Sequence, residues 1–273
     1  MYLKEACGMG KFDGYMLISD LDGTLVDCNF GISDENAEAI RYFQENGGRM
    51  TIASGRGPED IKGYAHRFIP NTFIIGLNGT VVYDPETETD VISLPFSEDD
   101  DIVSLIEDAV RDFGYDGAIS LCSRYERLKL DGKDIDSLRE KAKNLPKPWY
   151  KVVFMVSDRI MEQWMQYLVD RFGDRYNYNR SWGEGLEMHI KNSGKGEVLP
   201  LIRQILEEQG KPVHTFVCVG DFENDISMVR DAEIGYAVDN ADDSVKAVAD
   251  RFTVHHFDHA AAAIVADLEK DLG

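Results

Sequence analysis

The chain has 273 residues, with 29 Lys plus Arg against 50 Asp plus Glu, so its formal net charge is −21. This length can bury full cores in about two domains without disulfides, and a hydrophobic content of 43% is too high for a disordered acidic chain. Because the acidic balance repels phosphate polyanions and anionic bilayers, we expect neither a nucleic-acid partner nor a membrane partner.

Cysteine usage and the N-terminal residues indicate the compartment. Cys7, Cys28, Cys122 and Cys218 are scattered and form no CxxC pair, so neither a disulfide framework nor a zinc site is predicted. No apolar run approaches the roughly 20 residues that span a bilayer, and the first residues lack the apolar core of a signal peptide. These features predict a cytoplasmic protein.

Apolar runs alternate with helical patterns along the first part of the chain. We predict strands at 15–19 and 50–54 and helices at 34–46 and 58–68. The ends of these helices are marked by residues of suitable type, with a Ser N-cap, a Gly just past the end and a Pro in the first turn, at Ser33, Gly47 and Pro58. This alternation is typical of βαβ units and a parallel sheet.

The same alternation resumes near residue 195, with a helix and then strands at 214–220 and 234–238. Between the two parts, the pattern of residues 84–190 is different and predicts hairpin-like strands and amphipathic helices around 98–113 and 159–172. The predicted fold is therefore α/β: a Rossmann-like, doubly wound parallel-sheet core formed by 1–83 and 191–273, with an inserted α+β cap domain at 84–190.

Two of these predicted strands end in polar residues. Asp20 and Asp22 follow the first strand in DLDGTL, and ligands in open parallel sheets bind beyond the carboxyl ends of strands. Ser54, Gly55 and Arg56 follow the second strand, where a hydroxyl and backbone amides before a helix can bind an anion. Taken alone, the first motif is equally an acidic turn and the second an ordinary N-cap.

Two further motifs lie in the second part of the core. Lys195 in GKGEVL precedes a helix, where a cation is unfavourable unless an anion lies nearby. Asp221, Asn224 and Asp225 in GDFEND follow the strand at 214–220 and offer the oxygen ligands that Mg²⁺ prefers. A solvated lysine and an acidic loop are the alternatives when each motif is considered separately.

Taken together and in this order, DLDGT, the Ser of ASGR, the Lys of GKG and GDFEND resemble the haloacid dehalogenase superfamily. The chain is similar to its Cof-like, type IIB sugar-phosphatase branch from about residue 15 to about 255. Asp22 and Ser54 are 32 positions apart, whereas Ser54 and Lys195 are 141 apart, so the second interval has room for the C2-type cap of that branch.

The resemblance implies a Mg²⁺-dependent phosphatase acting on small phosphorylated metabolites, with sugar phosphates as the expected class. Asp20 would be the nucleophile that forms an aspartyl phosphate, and Asp22 the general acid and base. Ser54, Gly55 and Lys195 would bind the phosphoryl group. Asp20, Asp22 through its backbone carbonyl, and Asp221 would bind Mg²⁺, and two further residues would support the metal site, namely Asn224 and Asp225.

Other residues have weaker assignments. Asn78 and Gly79 give a type I′ hairpin signal between two apolar runs, and the resemblance also places such a turn near the pocket entrance. The candidates for contacts with the leaving group lie in polar, aromatic segments of the cap, and each is equally an ordinary surface or core residue: Arg124, Tyr125, Arg180 and Trp182. Asn240 is expected to orient a loop. His255, His256 and His259 lack a partner cluster that would make them a metal site.

Two other functions fit the same motifs. A phosphomutase shares the aspartyl phosphate and this type of cap, and it would convert a hexose 1-phosphate to the 6-phosphate instead of releasing phosphate. A phosphometabolite sensor on this fold would bind ligand without turnover.

Overall fold

The computed structural model describes residues 10–26, 31–64, 67 and 69–273. Its strands are β1 Tyr15–Ser19, β2 Arg49–Ile52, β3 Ile74–Gly76, β4 Val81–Asp84, β5 Thr89–Ser93, β6 Ala118–Ser123, β7 Arg127–Asp131, β8 Trp149–Met155, β9 Tyr176–Trp182, β10 Gly185–Ile190, β11 Thr215–Gly220, β12 Ile234–Ala237 and β13 Arg251–Phe252. Its helices are α1 Asp34–Glu45, α2 Pro58–Lys62, α3 Ile102–Phe113, α4 Leu138–Ala142, α5 Met161–Phe172, α6 Leu199–Glu208, α7 Ile226–Asp231, α8 Asp243–Lys246 and α9 Ala260–Leu272.

The core sheet is parallel, in the order β13-β12-β11-β1-β2. Side chains alternate across each strand, so Met16 and Ile18 of β1 pack on one face and Leu17 on the other, and all three are fully buried. Because both faces are covered, β1 and β11 are continuous apolar runs. This confirms the predicted doubly wound α/β core.

The helices divide between the two faces of this sheet. Ile40 of α1 and Ile264 of α9 pack with Leu17 in one buried cluster. Ile202 of α6 and Met228 of α7 pack with Met16 in a second cluster on the opposite face. The result is a three-layer core in which helices cover every central strand and leave the carboxyl ends of the strands free to form a site.

The predicted helix ends agree with the structure in most respects. Ser33 accepts the backbone N–H of Asn36 as the N-cap of α1, Pro58 lies in the first turn of α2, and Gly47 adopts φ 93° just past α1. The prediction of a helix over 58–68 was too long, because α2 ends at Lys62 and is followed by turn residues; residues 65, 66 and 68 lie outside the described part.

The predicted hairpin around Asn78 forms, but its turn is not the two-residue type I′ turn that we expected. Gly76 pairs with Val81, which leaves the four residues 77–80 in the connection. Leu77 and Asn78 donate their backbone N–H groups to the carbonyl oxygens of Arg56 and Ser54, at 2.8 and 2.9 Å. These bonds to the loop after β2 select the longer turn.

The cap contains a five-stranded antiparallel sheet in the order β7-β6-β8-β10-β9. Helices α3 and α5 cover one face of this sheet and bury a cluster that includes Ile106, Phe154, Trp164 and Leu186. On the opposite face, which lies toward the core, β8 and β10 place four residues that alternate in sequence with members of this cluster: Lys151, Val153, Glu187 and His189.

Strand β5 lies within the range 84–190 that we predict for the cap, yet it pairs with β4 of the hairpin. Its Ile92 packs in the cluster that contains Met16 and Ile75 of the core. The buried cap cluster, in contrast, includes no residue before Phe96. The hairpin sheet β3-β4-β5 therefore connects the two parts, and the division at 83/84 and 190/191 stays a prediction.

No helix in the part of the chain that the structure describes has both the length and the apolar character needed to cross a bilayer.

Trp164 is the centre of the cap core and gives a test of the fold. Its side chain is 0% exposed and contacts four aromatic rings: Phe113, Tyr115, Phe154 and Tyr167. Trp164→Ala should lower the free energy of unfolding by about 3–5 kcal/mol, because it removes a large buried side chain and leaves a cavity. Trp182→Ala, at a residue that is 41% exposed, should cost about 0.5 kcal/mol or less. Urea unfolding measures both, and equal losses would contradict this packing.

Candidate active site

Three neighbouring strands of the core sheet end at the same place. β1 lies between β11 and β2, so the residues that follow these strands lie side by side: Asp20 after β1, Ser54 after β2 and Asp221 after β11. The backbone supports this junction, since Asp20 donates its N–H to the Val219 carbonyl at 2.9 Å. Parallel pairing thus brings together residues that are far apart in the sequence.

These residues form the core side of a cavity of about 480 Å³ between core and cap. The core side includes Asp20, Asp22, Ser54, Gly55, Asp221 and Asn224, and the cap side includes Arg127, Lys151, Ser181, Trp182 and Glu187. A cavity of similar volume, about 490 Å³, shares Asn224 with it but is not lined by Asp20, Ser54 or Asp221.

Lys195 lies beneath this cavity and is fully buried. Its ammonium donates to Asp20 Oδ1 at 2.5 Å and to Asp225 Oδ1 at 2.7 Å. Burial alone would lower the pKa of Lys195, but the two carboxylates outweigh it and raise that pKa. The lysine is therefore a fixed positive charge, and it holds one oxygen of Asp20.

The carboxylates around Lys195 are not fully compensated by it. Burial raises the pKa of Asp20 well above its ordinary value, against the opposing effect of the Lys195 ammonium. Burial and the neighbouring Asp225 charge raise the pKa of Asp221 to about 7. The site thus holds more negative charge than one lysine neutralises, and an additional cation would stabilise it.

Asp225 uses its oxygens within the protein. Oδ1 accepts the Lys195 ammonium, and Oδ2 accepts the backbone N–H groups of Asp221 and Phe222 at 3.0 and 3.3 Å. Asp225 therefore fixes the loop that presents Asp221. Asn224 is buried beside it and donates to Asn78 Oδ1 at 3.1 Å. Both residues therefore lie next to Asp221, and their role in supporting a metal site stays a prediction.

The loop after Asp20 packs directly on Asp221. Thr24 Oγ1 donates to Asp221 Oδ1 at 3.2 Å, and Asn240 donates to the Gly23 carbonyl at 2.8 Å, in line with the loop-orienting role expected for Asn240. Gly23 adopts φ 87°, and a Cβ at this position would overlap the Asp221 carboxylate. Glycine is required here for both its backbone conformation and its size.

Asp22 is held by a side chain that sequence reasoning did not assign. Arg56 donates to both oxygens of Asp22, each at 2.7 Å, in a bidentate ion pair at the cavity wall. Arg56 also donates its backbone N–H to Ser54 Oγ at 3.2 Å. Any proton transfer by Asp22 to a substrate oxygen requires this ion pair to open.

The residues predicted at the entrance lie in different places. Asn78 is buried and bonds to the cap, and Gly79 (φ 86°) packs against the Gly194 carbonyl. Arg180 pairs with Glu223 and so links cap to core. Arg124 is 8% exposed and forms a bidentate pair with Asp90, so it is not part of the cavity wall described above.

Of the remaining aromatic and histidine candidates, one lines the cavity and the others lie elsewhere. Trp182 lines the cavity, whereas Tyr125 is 74% exposed beside Arg124. His255 accepts the N–H of Phe257, His256 bonds to the Val26 carbonyl, and His259 bonds to Ser33 Oγ. Each histidine thus has a structural contact of its own.

Two buried residues of the cap wall escaped the sequence analysis. Lys151 and Glu187 form an ion pair of 2.7 Å, and their side chains are 4% and 2% exposed. Each is a charged residue within a largely apolar strand, in YKVVFMV and GLEMHI. That isolated charge is the signal that could have indicated them, because a buried charge needs a partner.

The residues present fit a divalent cation. Oxygens of Asp20, Asp221 and Asp225 lie within 4.8 Å of one another. Burial and the neighbouring Asp225 charge raise the pKa of Asp221, and a cation would offset both effects. Because both oxygens of Asp225 have protein partners, Asp20 and Asp221 are the better ligands. Carboxylate oxygens favour Mg²⁺ over softer metals.

The chain is similar to known hydrolases and phosphatases over most of its length. A family model described as haloacid dehalogenase-like hydrolase matches residues 17–265. The chain is 23% identical to the 5-amino-6-(5-phospho-D-ribitylamino)uracil phosphatase YitU of Bacillus subtilis, over 88% of this chain and 92% of that protein. It is 24% identical to the pyridoxal phosphate phosphatase YbhA of Escherichia coli, over 84% and 89%.

Among solved structures, the subclass IIB sugar phosphatase BT4131 superposes with a TM-score of 0.76, covering 93% of this chain and 99% of that one at 18% identity. At this identity the likeness shows a shared fold.

The Asp221 environment predicts how stability depends on pH when no metal is present. The folded protein retains the Asp221 proton up to about pH 7, whereas the unfolded chain loses it near pH 3.8. Between these values the unfolded chain binds fewer protons, so the free energy of unfolding should fall as pH rises, by up to about 4 kcal/mol.

The measurement is urea unfolding in EDTA from pH 5 to pH 8. Asp221→Asn should be less sensitive to pH than the wild type, and substitution of the exposed Asp99 by Asn should leave the wild-type profile unchanged. Parallel profiles for the wild type and Asp221→Asn would contradict the assigned environment.

Proposed function

The chain belongs to the haloacid dehalogenase-like hydrolase family and is a phosphatase, and we propose that it hydrolyses small phosphate monoesters, chiefly sugar phosphates, in a Mg²⁺-dependent reaction through an aspartyl phosphate. The observation that carries the proposal is the convergence of Asp20, Ser54 and Asp221, above the buried Lys195, on one cavity roofed by the cap. A carboxylate, a hydroxyl donor and a cation at one point suit phosphoryl transfer.

Asp20 is the proposed nucleophile. One of its oxygens is held by Lys195, which leaves the other for attack on phosphorus. In the first step a bond forms between Asp20 and phosphorus while the ester P–O bond breaks, and Asp22 gives a proton to the departing alkoxide. In the second step water attacks phosphorus, Asp22 accepts its proton, and inorganic phosphate leaves with Asp20 regenerated.

Ser54 and the loop after β2 would bind the phosphoryl oxygens. The Ser54 hydroxyl accepts the Arg56 N–H, so its own hydrogen is available to donate to a ligand. Lys195 supplies a positive charge close to Asp20, where the negative charge of the transferred group increases the repulsion among carboxylates. Arg56 can bind the phosphoryl group once its ion pair with Asp22 opens, because a guanidinium group binds phosphate as it binds carboxylate.

Mg²⁺ would be held by Asp20, Asp221 and the backbone carbonyl of Asp22, and it would supply charge neutralisation and orientation for the phosphoryl group. The fit rests on the clustered carboxylates and the raised pKa of Asp221 described above. Asn224 and Asp225 would keep the Asp221 loop in place. The few, scattered cysteines support a cytoplasmic location.

The substrate class is inferred from the cavity and the relatives. The cap wall offers Ser181 and Glu187 as partners for hydroxyl groups and Trp182 as a flat apolar surface. YitU and YbhA are named for a phosphorylated ribityl compound and for pyridoxal phosphate, which are both small monoesters. A cavity of about 480 Å³ accommodates molecules of that size.

The test of this function is phosphate release from p-nitrophenyl phosphate and a panel of sugar phosphates. The wild type with Mg²⁺ should hydrolyse these substrates. EDTA, which removes the charge stabilisation by the metal, and Asp20→Asn, which removes the nucleophile, should each reduce the rate by at least about 10³-fold. Asp99→Asn is the matched control at an exposed carboxylate. Undiminished turnover in EDTA or in Asp20→Asn would refute the proposal, as would conversion of a hexose 1-phosphate to the 6-phosphate without phosphate release.

Gly23 provides a second prediction. Gly23→Ala and Gly210→Ala both place a side chain at positive φ, 87° and 70°, so both should lose about 1 kcal/mol of stability. Only at Gly23 does the new Cβ meet a functional side chain, Asp221, whereas nothing lies within 4 Å of it at Gly210. We expect a rate loss of about 100-fold in Gly23→Ala alone. Equal activity of the two variants in the phosphate-release assay would show that the contact with Asp221 is unimportant.

A further inference from the structure

The cap reaches the phosphate-binding loop through one buried cation. Lys151 of β8 donates to the Gly55 carbonyl at 2.7 Å and to Glu187 Oε2 at 2.7 Å. Glu187, on the adjacent strand β10, also accepts from Asn78 Nδ2 at 2.7 Å. Lys151 and Glu187 are both buried, so neither charge is solvated in this arrangement.

The carbonyl that Lys151 binds is the one in the loop 54–56 that the hairpin leaves free. The Ser54 carbonyl accepts the Asn78 N–H and the Arg56 carbonyl accepts the Leu77 N–H, so the hairpin backbone fixes both. Gly55 O is bonded by Lys151 instead. Because Gly55 has no side chain, the peptide between Gly55 and Arg56 is the part of this loop that can rotate most easily.

We propose that Lys151 and Glu187 of the cap are positioning residues that orient the Gly55–Arg56 peptide and, through it, the Ser54 hydroxyl; this inference rests on the proposed phosphate-binding role of Ser54. The peptide is planar, so a carbonyl directed toward Lys151 directs the Arg56 N–H the opposite way. That N–H donates to Ser54 Oγ at 3.2 Å. With its lone pair engaged, the hydroxyl turns its hydrogen toward the cavity.

The network also extends to the acidic loop. Asn78 donates to Glu187 and to Ser181 Oγ, at 2.7 and 3.0 Å, while its Oδ1 accepts from Asn224 at 3.1 Å. Reversing the Asn78 amide would place its oxygen against the Glu187 carboxylate, so the orientation is determined. One cap residue, Glu187, therefore contacts both Lys151 and the residue that supports Asn224.

An ion pair that only stabilised the fold would also be buried, so the experiment must separate a stabilising role from a role in orienting the loop 54–56. Removing one partner would leave an unpaired buried charge and destabilise the protein. Lys151→Met combined with Glu187→Gln removes both charges and retains an acceptor for Asn78. The full-length protein should then unfold cooperatively, and what remains is the effect on the loop.

The test is a cycle with Ser54→Ala in which calorimetry measures the affinity for inorganic phosphate in the presence of Mg²⁺. We expect the Lys151/Glu187 double variant to weaken binding about tenfold, the loss of about one hydrogen bond to an anion. Ser54→Ala should cause a similar loss. The triple variant should bind as weakly as Ser54→Ala and no weaker, because Lys151 acts through Ser54.

Arg180→Met is the matched control, since Arg180 forms another cap-to-core ion pair, with Glu223, and does not contact the loop 54–56. Its effect should add to that of Ser54→Ala. If the losses of phosphate affinity in the Lys151/Glu187 double variant and in Ser54→Ala add, the positioning role is overturned while the proposed function stands. If the losses in Arg180→Met and Ser54→Ala do not add, Lys151 acts only by general docking of the cap, which also overturns the positioning role. Unchanged phosphate affinity in Ser54→Ala would instead overturn the phosphate-binding role in the proposed function.

Gly55→Ala provides a second variant should the double variant not fold. A Cβ at Gly55 would lie 3.3 Å from Asn78 Oδ1, which is a tight contact, and 3.5 Å from Lys151 Nζ, which is an ordinary one. It therefore crowds the Asn78 side of the same network without removing a charge. It should weaken phosphate binding in the wild type and have no further effect in Ser54→Ala. An additive loss would count against the proposal in the same way.

Discussion

The site depends on one buried ammonium group between two carboxylates. Lys195 has no exposed surface and contacts Asp20 after β1 and Asp225 in the loop after β11, so it joins two strand ends that the sheet has already placed side by side. Without this charge, Asp20, Asp221 and Asp225 would repel one another in a poorly solvated place. Lys195 therefore allows three carboxylates to lie close together at the ends of the core strands.

Electrostatics also reconciles an acidic protein with an anionic ligand. The net charge of −21 disfavours polyanions, but the cavity contains Arg56, Lys151 and Arg127, with Lys195 beneath it. Arg56 and Lys151 are each neutralised by a carboxylate that also lines the cavity, Asp22 and Glu187. Local cations and oriented amides can attract one phosphate group while the rest of the surface remains acidic.

The sequence predicted the parts of the fold that depend on local pattern. Strand β1 was predicted at its observed bounds because a strand covered on both faces is a continuous apolar run. The turn type at Asn78 was not predictable, since backbone bonds to Ser54 and Arg56, distant in sequence, determine it. The contacts of Arg124 and Arg180 were also not predictable, because only the folded chain brings their partners, Asp90 and Glu223, close to them.

The central claim is that Asp20, held by Lys195, receives the phosphoryl group. To test it, the Asp22→Asn variant is exposed to p-nitrophenyl phosphate and Mg²⁺ and then quenched with acid. Loss of the general base slows hydrolysis of the intermediate, whereas its formation continues because the good leaving group needs little acid assistance. Peptide mass spectrometry should find one added phosphoryl group on Asp20. Phosphorylation of another residue, or release of phosphate with Asp20 unmodified at every quench time, would contradict the account.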